Sequence, residues 1–203
     1  MFLPLDADAP GDSPGDSMVE VSQTEMVELA RKGDAQGFTA LFRAYNAQIC
    51  TYLSRLVGND ELGRDLAQET FLRAWKSLPS IADELRFKPW LYRIATNVAR
   101  SHLRHERLIR WLPWTEHSSE RHAENLRIEG PEERTGEMEC VERTLARLAP
   151  QCRVCLLLQL VAGFSQREIA EALGISEKSV GAYVSRGREQ FRQAYRQMKE
   201  ESA

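Results

Sequence analysis

Two pairs of side chains in this sequence have the spacing of metal ligands. Cys152 and Cys155 form a C-x-x-C, and His102 and His105 stand one helical turn apart. Thiolates and imidazoles hold zinc when four of them converge. Neither pair has the partners that this chemistry needs. No second C-x-x-C exists, and the cysteines lie at the start of and within the helical run CRVCLLLQLV, where small thiols read as core packing. The histidines read as polar surface groups. No nucleophile–base pair and no P-loop occurs in the sequence. The expectation is a protein with no catalytic residues, no metal and no cofactor, and not an enzyme. A metal-dependent enzyme built on the two pairs is the competing reading, and stoichiometric zinc in the purified protein would revive it.

A different chemistry is better supplied. Between residues 86 and 110 stand seven bases (Arg86, Lys88, Arg93, Arg100, Arg104, Arg107, Arg110) against one acid, Glu106. Phe87, Trp90 and Tyr92 are interleaved at the start of that stretch. Cations that track phosphates beside rings that stack on unpaired bases make a surface for single-stranded nucleic acid. The bland alternative is that the rings are core and the arginines only solubilise. A second candidate lies in FSQREIAEALGISEKSVGAYVSRGREQF (164–191). Ile169, Ala170 and Leu173 fall at helical spacing before Gly174, with Glu168 and Glu171 outside. Val180 and Val184 fall four apart after it. Gly174 suits a left-handed helix end, and Ser176 suits the next N-cap. Two short helices with a glycine turn between them form a helix-turn-helix, whose second helix enters the DNA major groove. An αα-hairpin without DNA is the plain alternative.

The elements that must position these groups are all helical. Ser22 and Glu25 make an S-x-x-E capping box, Gly33 ends that helix, and Asp34 caps the next. Phe38, Leu41, Phe42, Tyr45, Ile49, Tyr52, Leu53 and Leu56 then form a long 3.6-period stripe. Gly58-Asn59 breaks the chain. Asp60 can start a third helix with Leu62, Leu66, Thr70, Phe71, Ala74 and Trp75 inward, and Asp65, Gln68, Glu69, Arg73 and Lys76 outward. Pro79 ends it, and Pro89 opens a fourth helix over about 89–110. From about 137, Met138, Val141, Leu145 and Leu148 stripe another helix. Pro150 opens the one that stops at Gly163.

Composition bounds the rest. The 203 residues are 42% hydrophobic with net charge −3, which suits one domain or two small ones. That mild charge conceals segregation, because residues 1–30 hold seven acids and no Lys or Arg. A local patch, not the total, sets the potential that nucleic acid meets. Residues 1–21 read as a disordered acidic tail. Residues 112–136 lack any sustained period and read as a flexible linker. No apolar run approaches the roughly 20 residues that span a bilayer, and MFLPLDADAP lacks a signal-peptide pattern. The expectation is a cytoplasmic protein, not inserted in a membrane, with reduced cysteines.

LAQETFLRAWKSL (66–78), FKPWLYRIATNVARSHL (87–103) and the terminal helix-turn-helix together resemble the extracytoplasmic-function (group four) sigma factors of bacterial RNA polymerase. The resemblance covers roughly residues 24–195. It implies an all-α fold of two small helical domains: sigma region two over 22–111 and sigma region four over 137–203. It implies a subunit that binds core RNA polymerase, through its β and β′ subunits, and directs promoter-specific initiation. Asp65, Gln68, Glu69 and Arg73 match the face that docks on polymerase. Phe87, Trp90, Tyr92, Arg93, Asn97 and Arg100 match positions that pack behind or touch the opened −10 element. Lys178, Ser179, Ala182, Ser185 and Arg186 would lie near −35 bases, with Arg188 and Arg192 near phosphates. Gly181 and Tyr183 depart from the family pattern, which often has basic residues there. An anti-sigma partner is also implied. The alternative is a conventional helix-turn-helix regulator that never joins polymerase.

Overall fold

The computed structural model describes residues 22–81, 86–105 and 136–201. Among these residues it is all α-helix apart from one 3₁₀ turn, with no strand. The first lobe contains α1 (Gln23–Arg31), α2 (Ala35–Val57), α3 (Asp60–Ser77), the 3₁₀ turn Leu78–Ser80 and α4 (Phe87–His105). The second contains α5 (Gly136–Ala146), α6 (Pro150–Leu160), α7 (Gln166–Leu173) and α8 (Glu177–Glu201). The tail at 1–21 and nearly all of the expected linker lie outside the described residues, as do Arg107 and Arg110.

Local sequence sets the helix ends. Ser22 and Glu25 close the expected capping box on α1. Asp34 accepts from the backbone N–H groups of Gln36 and Gly37 to start α2. Gly58 ends α2 at φ 75°, a conformation that costs an L side chain but not glycine. Asn59, rather than Asp60, caps α3 by accepting from Leu62 N–H at 2.8 Å. That leaves Asp60 and Glu61 in the first turn, where the helix dipole favours them. The fourth helix begins two residues earlier than its proline suggests, at Phe87.

The first lobe packs α3 and α4 onto α2. Leu41, Ile49, Leu53 and Leu56 are fully buried, with Phe71, Ala74, Leu91 and Ala95 closing over them. A polar relay crosses this core. Tyr52 Oη and Thr96 Oγ1 are 2.8 Å apart, and Thr96 donates to the Tyr92 carbonyl. Close approach of α3 to α2 rests on Gly63: an added Cβ would stand 2.6 Å from the Ser54 backbone. The second lobe gathers Val154, Leu157, Leu158, Ile169, Ala172, Val180 and Val184. Gly187 lets α8 pass the start of α6, where a Cβ would meet the Cys152 carbonyl at 3.2 Å.

Two loosely tethered blocks were the expectation, yet the lobes meet. Their buried residues form one contiguous cluster. Tyr92 of α4 packs edge-on against Phe164, 5.0 Å between ring centroids. Arg153 of α6 reaches the Leu56 carbonyl at the end of α2 while also donating to the carbonyls of Ala146 and Leu148. This guanidinium is 3% exposed, so three carbonyls stand where a carboxylate would usually be. Desolvation draws its pKa down to about 10, which still leaves it charged at neutral pH.

Candidate nucleic-acid interface

The helix-turn-helix is built as the sequence predicts. Ser165 and Glu168 close a capping box on α7. Gly174 ends that helix at φ 68°. Ser176 Oγ accepts from Ser179 N–H at 3.1 Å and starts α8. Val180 and Val184 are buried, which fixes the rotation of α8 about its axis. Lys178, Ala182, Ser185 and Arg186 are therefore exposed together on its outer side. Ser179 is half-buried, and its hydroxyl is 2.8 Å from that of Ser176, so it serves the turn. Arg188 and Arg192 are exposed further along; Arg188 bonds Gln159, and Arg192 pairs with Glu189. Gly181 faces α7, where a Cβ would lie 3.2 Å from Gln166 Oε1. The departure from family pattern at this position therefore falls on the seam between the two helices.

On α4 the structure separates residues that the sequence grouped together. Arg93 and Asn97 are exposed and Arg100 is half-buried along one face. They line a cleft of about 290 Å³ together with Thr96, Ala172, Leu173 and Gly174. The aromatics do not form an exposed stacking platform. Tyr92 is 0% exposed and Phe87 2%. Phe87 packs on Tyr45, and Tyr92 packs on Tyr52 as well as Phe164. Helical periodicity explains the correction: Leu91, Tyr92, Ala95 and Val98 share the buried side, and a ring at that phase enters the core. Burial raises the Tyr92 hydroxyl's pKa, and that hydroxyl has no hydrogen-bond partner among the described residues. Trp90 alone of the three is half-buried, leaning on Phe87.

The outer face of α3 presents Asp65, Gln68 and Arg73 to solvent, with Glu69 bound to Arg73 at 2.6 Å. The structure adds Leu72, which is 48% exposed in the middle of that polar stripe. Its position one turn after Gln68 was visible in the sequence, but an outward leucine among charges carries no periodic signal. On the second lobe, an apolar groove of about 370 Å³ runs between α5, α6 and α8. Leu145, Leu156, Leu157 and Phe191 line it, Leu160 stands 65% exposed at its edge, and Arg55, Arg188 and Arg192 flank it. The sequence reading missed this groove because its walls come from three helices.

Cys152 and Cys155 are buried in α6, where burial pushes both thiols up, Cys155 to about 12. No group of three or more potential ligands occurs among the described residues. No helix among them is long and apolar enough to cross a membrane.

Residues 41–109 match the family model for sigma-70 region 2, and residues 138–191 that for sigma-70 region 4. The chain is 27% identical to the ECF RNA polymerase sigma factor SigW of Bacillus subtilis (strain 168), over 89% of this chain and 100% of the relative. It is 30% identical to the RNA polymerase sigma factor CarQ of Myxococcus xanthus, over 82% of this chain and 94% of the relative. The fold is shared with CnrH, solved in complex with the cytosolic domain of CnrY (TM-score 0.64, 24% identity, 84% of this chain and 95% of that one). It is also shared with the sigma factor RpoE of Bartonella quintana, solved in complex with the anti-sigma factor NepR (TM-score 0.59, 19% identity, 80% and 98%). With region 2 carried by α2–α4 and region 4 by α5–α8, the chain belongs to the sigma factors of bacterial RNA polymerase, in the extracytoplasmic-function group.

Proposed function

We propose that this sigma factor reads a promoter at two points while held on polymerase by both lobes. The outer side of α8, from Lys178 to Arg186, reads base edges of the −35 element in the major groove, with Arg188 and Arg192 on phosphates. The α4 face of Arg93, Asn97 and Arg100 holds the separated strand of the −10 element, with Trp90 beside it. Phe87 and Tyr92 support this face from the core and do not touch DNA. The stripe Asp65, Gln68, Glu69, Leu72 and Arg73 docks on the β′ subunit, and the apolar groove under Leu160 takes a segment of the β subunit. An exposed apolar surface of that kind, rimmed by polar groups, marks a protein interface.

The carrying observation is the fixed presentation of α8. Val180 and Val184 lock into the core, and the opposite side exposes Lys178, Ser185 and Arg186 at the end that a helix-turn-helix inserts. In this reading the chain itself makes and breaks no covalent bond; its work is binding and strand separation, and bond formation belongs to the polymerase. Unstacking a base costs a few kcal/mol, which base-holding contacts offset.

The test is transcription from a linear promoter by bacterial core polymerase. A promoter-dependent transcript is expected only when this chain is added. Duplex DNA binding without polymerase association would instead establish a free regulator. Promoter selection with the reconstituted holoenzyme would then define the two elements. We extend the proposal to a helical anti-sigma partner that covers these faces. RpoE of Bartonella quintana was solved in complex with the anti-sigma factor NepR, and co-purification from cells tests for a partner of that class here.

A further inference from the structure

The cations placed at the edge of the −10 surface are already occupied, and by the other lobe. Arg86, just before α4, spreads its guanidinium between two carboxylates of α7: Nη1 lies 2.5 Å from Glu171 and Nη2 3.1 Å from Glu168. Two residues on, Lys88 donates to the Ala162 carbonyl at 2.7 Å and stands 5.0 Å over the Phe164 ring. The end of α7 at Leu173–Gly174 faces Arg93, Asn97 and Arg100 across the shared cleft. A guanidinium held by two carboxylate oxygens is in the geometry it would use toward a phosphate.

We propose that Glu168 and Glu171 stand in for DNA phosphates, so that region 4 closes on region 2 and shields its single-strand surface until nucleic acid displaces the two carboxylates. The inference rests on the reading of the α4 face given above. It extends that reading from a binding surface to a competition within one chain.

The contact is built to open. Arg86 is 49% exposed and its partners Glu171 and Glu168 are 45% and 28%, and ion pairs open to solvent in this way contribute little and exchange readily. The apolar part of the seam centres on Tyr92 against Phe164. Burying Tyr92 leaves its hydroxyl without a partner, a cost that water removes once the lobes part. Arg153 adds a second such cost, since its Nε is buried without a partner and no carboxylate neutralises the charge. Attractive rings and charges with two unsatisfied groups at one seam give a two-state element with a small gap.

Two variants of the full chain move this equilibrium in opposite directions. E168Q/E171Q removes both charges and keeps the α7 cap, because glutamine also closes a capping box. Y92F removes the stranded hydroxyl and keeps the ring. The readouts are the radius of gyration from solution scattering and affinity for a randomised single-stranded DNA pool. E168Q/E171Q should expand and bind DNA roughly three- to tenfold more tightly, as expected from losing two exposed ion pairs. Y92F should contract and bind more weakly than the parent. Normal DNA binding with neither variant changing size or affinity overturns the proposal through the clasp. Charge-dependent expansion with no DNA binding by any of the three proteins overturns it through the reading of α4.

Discussion

Arg186 is the residue on which sequence reading and structure bear most directly together. It was singled out by its place in the second helix of the motif. The structure puts it in solvent, on the side opposite Val180 and Val184. R186A should cost about 1–3 kcal/mol on the selected promoter and much less on unrelated DNA, if it contacts a base bidentately. Competition binding with matched and scrambled duplexes measures this. Equal loss on both would make Arg186 a phosphate contact. Tyr92 shows the opposite outcome. Composition placed it in an aromatic–basic cluster, and composition carries no phase. Only the helical period, which sets Tyr92 beside Leu91 and Ala95, distinguishes a ring in the core from a ring on DNA. Trp90, two residues earlier, keeps part of its surface outside and so keeps its candidate role.

Single elements were the most legible level, because caps and stripes are local. Ser22, Asp34, Gly174 and Ser176 all do the work their types suggest. What a stripe cannot show is how closely two helices approach. Gly63 reads as a mild flaw in a helix, yet it is where α3 crosses α2, with Ser54 backbone 2.6 Å from an added Cβ. In G63A, better helix propensity returns about 1 kcal/mol. Overpacking costs about 1–3 kcal/mol, and more where the neighbour is backbone. A net destabilisation of about 1 kcal/mol or more is expected from denaturant midpoints. G181A is the control, since its Cβ meets only the end of the Gln166 side chain, which can move. That variant should match the parent or gain up to about 1 kcal/mol. On the outer face of α3, Leu72 separates docking from folding. L72D should keep the parent's melting temperature, because the side chain is already half in water. It should lose polymerase association in a pull-down with core enzyme. Undiminished association would remove Leu72 from the docking face.

At the scale of the whole molecule, the closure of the lobes was not legible. Glu168 and Glu171 read correctly as the outer side of α7, and an outer side is ordinarily solvent. Their partner is more than eighty residues away in the chain, and no local period records it. The chemistry of the pair nevertheless sets its response to acid. The Glu168 carboxyl is held below its ordinary 4.5, first by the Ser165 backbone N–H, then by the Ser165 hydroxyl, with Arg86 and Lys88 adding to these. A depressed carboxyl contributes stability that is fully present above its unfolded value and is lost as pH falls through the folded value. The Ser165 share belongs to α7 itself and only the Arg86 and Lys88 share depends on closure, so closure should be flat from neutral pH down to about pH 5 and loosen only below the ordinary carboxylate range. Salt acts by a different route. Raising ionic strength from 0.1 to 1 M shortens the screening length from about 10 to about 3 Å, weakening the exposed pairs but not the ring contact. Expansion with salt should thus be partial, and E168Q/E171Q should show neither the acid step nor the salt step. Scattering across pH and salt on both proteins separates the contributions. A parent that expands in acid no more than this variant would place the clasp's strength in Tyr92 and Phe164, and the carboxylates would then only set where α7 lands on α4.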